Sequence, residues 1–159
     1  MDSELLAGAL AAIEAERDNR PGRGSELVRR LIADRGEADL AERLYREIPI
    51  GCPWELVADL FKILIWNTAD NGLDVCRTAA RWLEANDDLR RIRVALHIGA
   101  NPYLSGTEMT HVLVGVAARH PEVADRCREL LESQAIRRVA IRAVRMRSSR
   151  RGFEGSDCS

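Results

Sequence analysis

Apolar residues recur along this chain at spacings of three and four, with polar residues between them, and almost nowhere do they alternate with the period of two that a strand requires. The segment PWELVADLFKILIWNTADNGLDVCRTAARWLEANDDLRRIR, Pro53–Arg93, carries the pattern most fully. It reads as a helix, an Asn-Gly turn, a second helix, an Asn-Asp-Asp cap and a third helix. Upstream, Leu6, Leu10 and Ile13 mark a helix over Ser3–Arg17, closed by NRPGRG at Asn19–Gly24. Ser25 opens a short helix with Leu27, Val28, Leu31 and Ile32 on one stripe. Gly36 ends it, and Leu40, Leu44 and Ile48 mark the next. Downstream, a loop is expected at Gly99–Thr107, followed by helices carrying Met109, Val112, Leu113 and Val116, then Val123, Cys127, Leu130 and Leu131, and a last helix over Gln134–Met146.

The expected fold is all-α, with about eight to nine short helices. LFKILIWNTADN and its following helix align loosely with IRVALHIGANPY and its following helix, at an offset of roughly 32 to 36 residues, within the range of helical-hairpin repeats. Stacked antiparallel hairpins of HEAT type are therefore the preferred architecture, with a compact irregular bundle as the alternative. At 159 residues the expectation is one domain over residues 1–147 and a flexible tail over 148–159. Hydrophobic residues make up 46% and aromatics 4%, a balance that favours helices over sandwiches and barrels.

Charge divides the chain. Residues 1–133 hold 17 Arg and Lys against 23 Asp and Glu, a net of −6. Residues 134–151 hold seven Arg and no acid, +7, and the last eight residues hold −2. Arg138, Arg142 and Arg145 fall on one helical line beside an apolar complement of Ile136, Val139, Ala140, Ile141 and Val144. Such a helix has four readings: contact with nucleic acid, contact with an anionic membrane surface, docking on the acidic body, or a solvated face. Lysine occurs once, at Lys62.

Catalytic signatures are sparse. Glu108 and His111 form one Glu-x-x-His pair, whereas a di-iron bundle needs two and further glutamates. The cysteines, Cys52, Cys76, Cys127 and Cys158, lack zinc spacing, and Cys76 and Cys127 sit on apolar stripes. No phosphate-binding glycine loop or nucleophile elbow occurs. The expectation is a protein that is not an enzyme, needs no cofactor or metal, and works by binding. The acidic N-terminus lacks the basic region of a signal peptide, and no apolar run reaches the length of a membrane span, so the expected location is the cytoplasm.

Trp66 stands out. It lies on the polar line Glu55, Asp59, Lys62, Trp66 and is followed by Asn67, Asp70 and Asn71 at the helix end. Two readings are open: an aromatic anchor for a protein partner, or a side chain that curls under the next hairpin to complete the core. The candidate partner-binding set is Asp59, Trp66, Asn67, Asp70 and Asn71. The alternative nucleic-acid set is Arg138, Arg142 and Arg145.

The stretch from Trp54 to Leu83, continuing through RIRVALHIGANPYLSGTEMTHVL, resembles the small helical immunity proteins of bacterial toxin–immunity pairs. The likeness rests on Trp66-Asn67-Thr68 leading into Asp70-Asn71-Gly72, on Trp82-Leu83, and on the Ala95-Leu96 helix before a Pro-Tyr loop, and it covers about the central 60 residues. It implies a cytoplasmic protein that binds a cognate toxin and blocks its active site. The acidic body would suit a basic toxin domain.

Overall fold

The computed structural model describes the backbone of residues 2–19, 22–99 and 106–151. Among these residues the chain is all-helical and forms no strand. The elements are α1 (Asp2–Arg17), α2 (Gly24–Arg35), α3 (Leu40–Glu47), α4 (Trp54–Asn67), α5 (Leu73–Ala85), α6 (Leu89–His97), α7 (Gly106–Arg119), a 3-10 turn (Pro121–Val123) and α8 (Ala124–Arg151). None of the helices is long and apolar enough to cross a membrane. By packing, the chain falls into two units, Met1–Glu108 and Met109–Ser159.

In the first unit most of the positions that the periodicity marks are buried, with Leu27 and Cys76 only half-buried. Leu6, Ala9, Leu10 and Ile13 are buried on α1, and Val28, Leu31 and Ile32 on α2. Leu40, Ala41, Leu44 and Tyr45 are buried on α3, and Val75, Ala79, Trp82 and Leu83 on α5. The most apolar helix, α4, is the centre: Leu56, Val57, Leu60, Phe61, Leu64 and Ile65 all leave solvent. Full burial of a Leu or Phe of this kind contributes about 1.5–3 kcal/mol relative to exposure. Helix α4 packs against α1, α2, α5 and α6. The helices α2, α4 and α6 contact one another in succession, α3 contacts α5, and the pairs α1–α2 and α5–α6 pack side by side.

The helix ends follow from local chemistry. Gly36, at φ 69°, closes α2 by donating its N–H to Ile32 O at 2.9 Å. Asn86, at φ 52° and ψ 39°, closes α5 in the left-handed helical region. Asp88 caps α6, its Oδ1 accepting from the N–H groups of Arg90 at 2.9 Å and Arg91 at 3.1 Å. Pro53 is the residue just before α4 rather than part of its first turn.

In the second unit Met109, Leu113 and Val116 are the buried stripe of α7, and Val123 and Cys127 are buried where the 3-10 turn runs into α8. The expectation of two helices after His120 is corrected: α8 is a single helix of 28 residues. Neither proline nor glycine lies between Leu131 and Ile136 to interrupt it. Ser148–Arg151, assigned to the tail on sequence grounds, are helical. The rest of the expected tail, 152–159, lies outside the described residues, as does most of the expected loop at Gly99–Thr107.

Candidate protein-binding surface

Helix α4 ends in a turn that presents Trp66. The indole is 86% exposed, which removes the core reading of this residue. The turn behind it is heavily bonded. The Asn67 side-chain amide donates to Ile63 O at 2.8 Å, and Thr68 N–H donates to Leu64 O at 3.0 Å. Gly72 N–H is shared between Thr68 Oγ1 and Asp70 Oδ1, both at 2.9 Å, and Asp74 N–H donates to Asp70 Oδ2 at 2.8 Å. From outside the turn, Glu37 in the α2–α3 connection reaches across, its Oε1 accepting from Ala69 N–H at 2.9 Å.

The backbone demands its Asn-Gly pair. Asn71 has φ 56° and Gly72 φ 78°, both left-handed. A Cβ on Gly72 would sit 2.7 Å from Ile65 Cγ2 and 2.8 Å from Ile65 Cα, so glycine is required by the space as well as by φ. Three of the sequence-derived site residues, Asn67, Asp70 and Asn71, thus shape the turn, and Trp66 is the side chain the turn displays.

The turn is also acidic. Burial pushes the Asp70 carboxyl up, but the Asp74 N–H, the Thr68 side chain and the Gly72 and Leu73 N–H groups outweigh it, so the group lies below its ordinary value. Asp74 is shifted the other way, first by burial and then by repulsion from Asp39 and Asp70. These three carboxylates therefore share one neighbourhood at the start of α3 and α5. Neither Asp39 nor Asp74 figured in the sequence-derived site, because only the fold brings the two helix starts together.

Asp59 is not part of this turn. It lies seven residues before Trp66, about 10 Å along the helix. Its carboxylate is 2.9 Å from Lys62 Nζ and 3.4 Å from Arg17 Nε of α1.

Beneath the turn, α3 and α5 are locked by Trp82, which is 3% exposed. Its Nε1 donates to Glu42 Oε2 at 2.8 Å. Glu42 Oε1 accepts from Arg91 at 3.2 Å and from Arg46 at 3.1 Å. Arg91 lies over the rings of Tyr45 and Trp82, at 5.1 and 5.5 Å from their centroids.

On α8, Arg138, Arg142 and Arg145 are all exposed. The apolar complement expected beside them is exposed too: Ile136 and Val139 at 70%, Val144 at 64% and Ile141 at 57%, with Ala140 also exposed. Glu108 and His111 are both exposed on α7. Burial pushes the Cys52, Cys76 and Cys127 thiols up, the direction opposite to that of an activated nucleophile. Cys127 is buried as its stripe predicts, whereas Cys76 is half-buried. Among the described residues no group of three or more His, Cys, Asp or Glu side chains is placed to hold a metal ion. Compared with protein-family models, curated proteins and solved structures, the chain matches none.

Proposed function

We propose that this chain is a non-catalytic helical binding protein, most concretely an immunity protein that captures a cognate bacterial toxin in the cytoplasm. The observation that carries the reading is Trp66, an indole 86% exposed on a turn pinned by Asp70, Thr68 and Glu37. An exposed tryptophan on a rigid support loses little conformational entropy on binding and is the residue type that most often anchors a protein interface. The carboxylates of Asp70, Asp74 and Asp39 near that turn favour a basic partner surface, in keeping with the net −6 of residues 1–133.

A HEAT-like stack of hairpins is the architecture we assign to the first unit. Its support is the packing order, with α2, α4 and α6 in one row, α3 beside α5 in another, and side-by-side pairs α1–α2 and α5–α6. Co-expression with a growth-arresting basic toxin domain that the chain binds tests the proposal. The intact chain should restore growth, and Trp66→Ala should not. Protection that survives Trp66→Ala would remove the turn as the binding site.

A second reading is association with nucleic acid through α8. It is favoured by the exposure of Arg138, Arg142 and Arg145 in a segment without any acid. Binding to duplex DNA or RNA that weakens steeply with salt and is lost in Arg138→Glu/Arg142→Glu would support it. Retention of toxin protection in the same double variant would separate it from the first.

A further inference from the structure

Next to the Trp66 turn, in the first unit, lies a cleft of about 760 Å³, within the usual size range of ligand pockets. Its walls come from the end of α2, the α2–α3 connection, α3, α5 and α6. Glu37 belongs to both features: it lines the cleft, and it accepts the Ala69 N–H of the turn.

Five arginines line this cleft, and four of them have a carboxylate partner. Arg35 Nη1 is 2.6 Å from Glu47, Arg46 and Arg91 share Glu42, and Arg81 is 3.6 Å from Asp39. Arg43 is different. Among the described residues no carboxylate lies within 4.0 Å of it. Its Nη2 donates to Arg35 O and Gly36 O, each at 3.0 Å, so the guanidinium is fixed at the end of α2, and its Nε is buried without an acceptor. Glu47, whose carboxylate Arg35 holds, acts on Arg43 only from beyond direct contact. A half-buried cation held in place with no carboxylate in direct contact is a preorganised site for an oxyanion, because holding it there in the free protein already carries the cost that binding would otherwise add.

We infer that the cleft receives a glutamate or aspartate side chain from an acidic segment of the protein partner, with Arg43 as its principal contact and the exposed Arg81, steadied by its Nη2 donating to Thr78 Oγ1 at 2.9 Å, as the second. This rests on the protein-binding reading above and extends it: the partner would present a basic surface to the turn and an acidic side chain to the cleft. The lining favours a carboxylate over a phosphate chain. Glu37, Asp39 and Glu42 are interleaved with the arginines. They tolerate one singly charged group and repel a run of multiply charged ones.

The test is isothermal titration of the full chain with hexaglutamate, hexaglutamine and inorganic phosphate. It is carried out in an Arg138→Glu/Arg142→Glu background so that the basic helix does not capture the peptide. Hexaglutamate should bind and hexaglutamine should not. Arg43→Gln and Arg81→Gln should each weaken hexaglutamate about tenfold or more, the usual effect of losing one charge-assisted hydrogen bond. Arg81 is exposed, so its variant keeps the measurement meaningful if Arg43→Gln loosens the end of α2. Trp66→Ala should leave hexaglutamate binding unchanged, so failure of the tryptophan anchor and failure of the cleft are read separately. The proposal is overturned by absence of hexaglutamate binding, by phosphate binding as tightly as the peptide, or by binding that ignores both arginine variants in folded protein.

Discussion

The indole N–H of Trp82 on α5 donates to Glu42 Oε2 on α3 at 2.8 Å, joining residues forty positions apart in the sequence. The bond does two things at once. It satisfies a polar atom that burial would otherwise strand, and it holds the Glu42 carboxylate where Arg91 and Arg46 also reach it. Trp82 packs on Tyr45 and Phe61 as well, with ring centroids 4.8 and 5.8 Å away.

Trp82→Ala should therefore cost about 3–5 kcal/mol of stability in chemical denaturation. Glu42→Ala should cost about 1–3 kcal/mol, because it leaves the indole N–H buried and unpaired. In a double-mutant cycle the two losses should be clearly less than additive. Full additivity would mean that the bond contributes nothing of its own.

Trp66→Ala should behave in the opposite way. With 86% of the residue in solvent, its removal should shift stability by no more than about 0.5 kcal/mol. A loss comparable to that of Trp82→Ala would place Trp66 in the core.

Gly72→Ala should destabilise by about 1–3 kcal/mol, since the new Cβ meets Ile65 while φ stays at 78°. The loss should be accompanied by faster hydrogen exchange at Ala69 and Asp74, whose N–H groups are bonded only while the turn keeps its shape. Unchanged exchange at those amides would show that the turn does not depend on this glycine.

Acid should loosen the turn from a defined direction. Asp70 has a folded pKa below its unfolded value, so the stability it contributes is fully present above the unfolded value and is lost as pH falls through the folded one. Glu47, lowered by its hydrogen bond to Arg35, acts with the same sign. Asp74 lies above its ordinary value, so protonating it on the way down relieves repulsion and acts against the other two. Asp70→Ala should flatten the acid limb of the stability–pH curve below about pH 4, near the unfolded aspartate value. An unaltered acid limb would show that the turn bonds do not favour the ionised carboxylate.

Much of the helical framework is legible in the sequence because its signals are local. Gly36, Asn86 and Asp88 end or begin helices through their own backbone and side-chain chemistry, and buried stripes at three- and four-residue spacing need no knowledge of the partner helix. The length of α8 is not legible in the same way. Its apolar positions beyond Leu131 imitate a buried stripe, yet Ile136, Val139 and Val144 are exposed. The candidate site divides along the same line. Asn71-Gly72 is recognisable as a turn, but whether Trp66 turns in or out depends on where the following helices lie. The pairing of Asp59 with Arg17 links α4 to α1, and the cleft gathers Arg35, Arg43, Arg81 and Arg91 from four helices. No sequence period records such meetings.

The proposed anchor for a protein partner is the Trp66 turn. The deciding measurement is isothermal titration of the purified chain against the toxin domain it protects from, for the unaltered protein, Trp66→Ala and Arg138→Glu/Arg142→Glu. Truncating an interface anchor typically costs about 2 kcal/mol or more, a weakening of about thirtyfold. A tight complex is expected, weakened by at least about that much in Trp66→Ala at unchanged melting temperature, and little changed in the double arginine variant. A complex indifferent to Trp66→Ala but abolished by the arginine changes would contradict the Trp66 anchor and place the interface on α8.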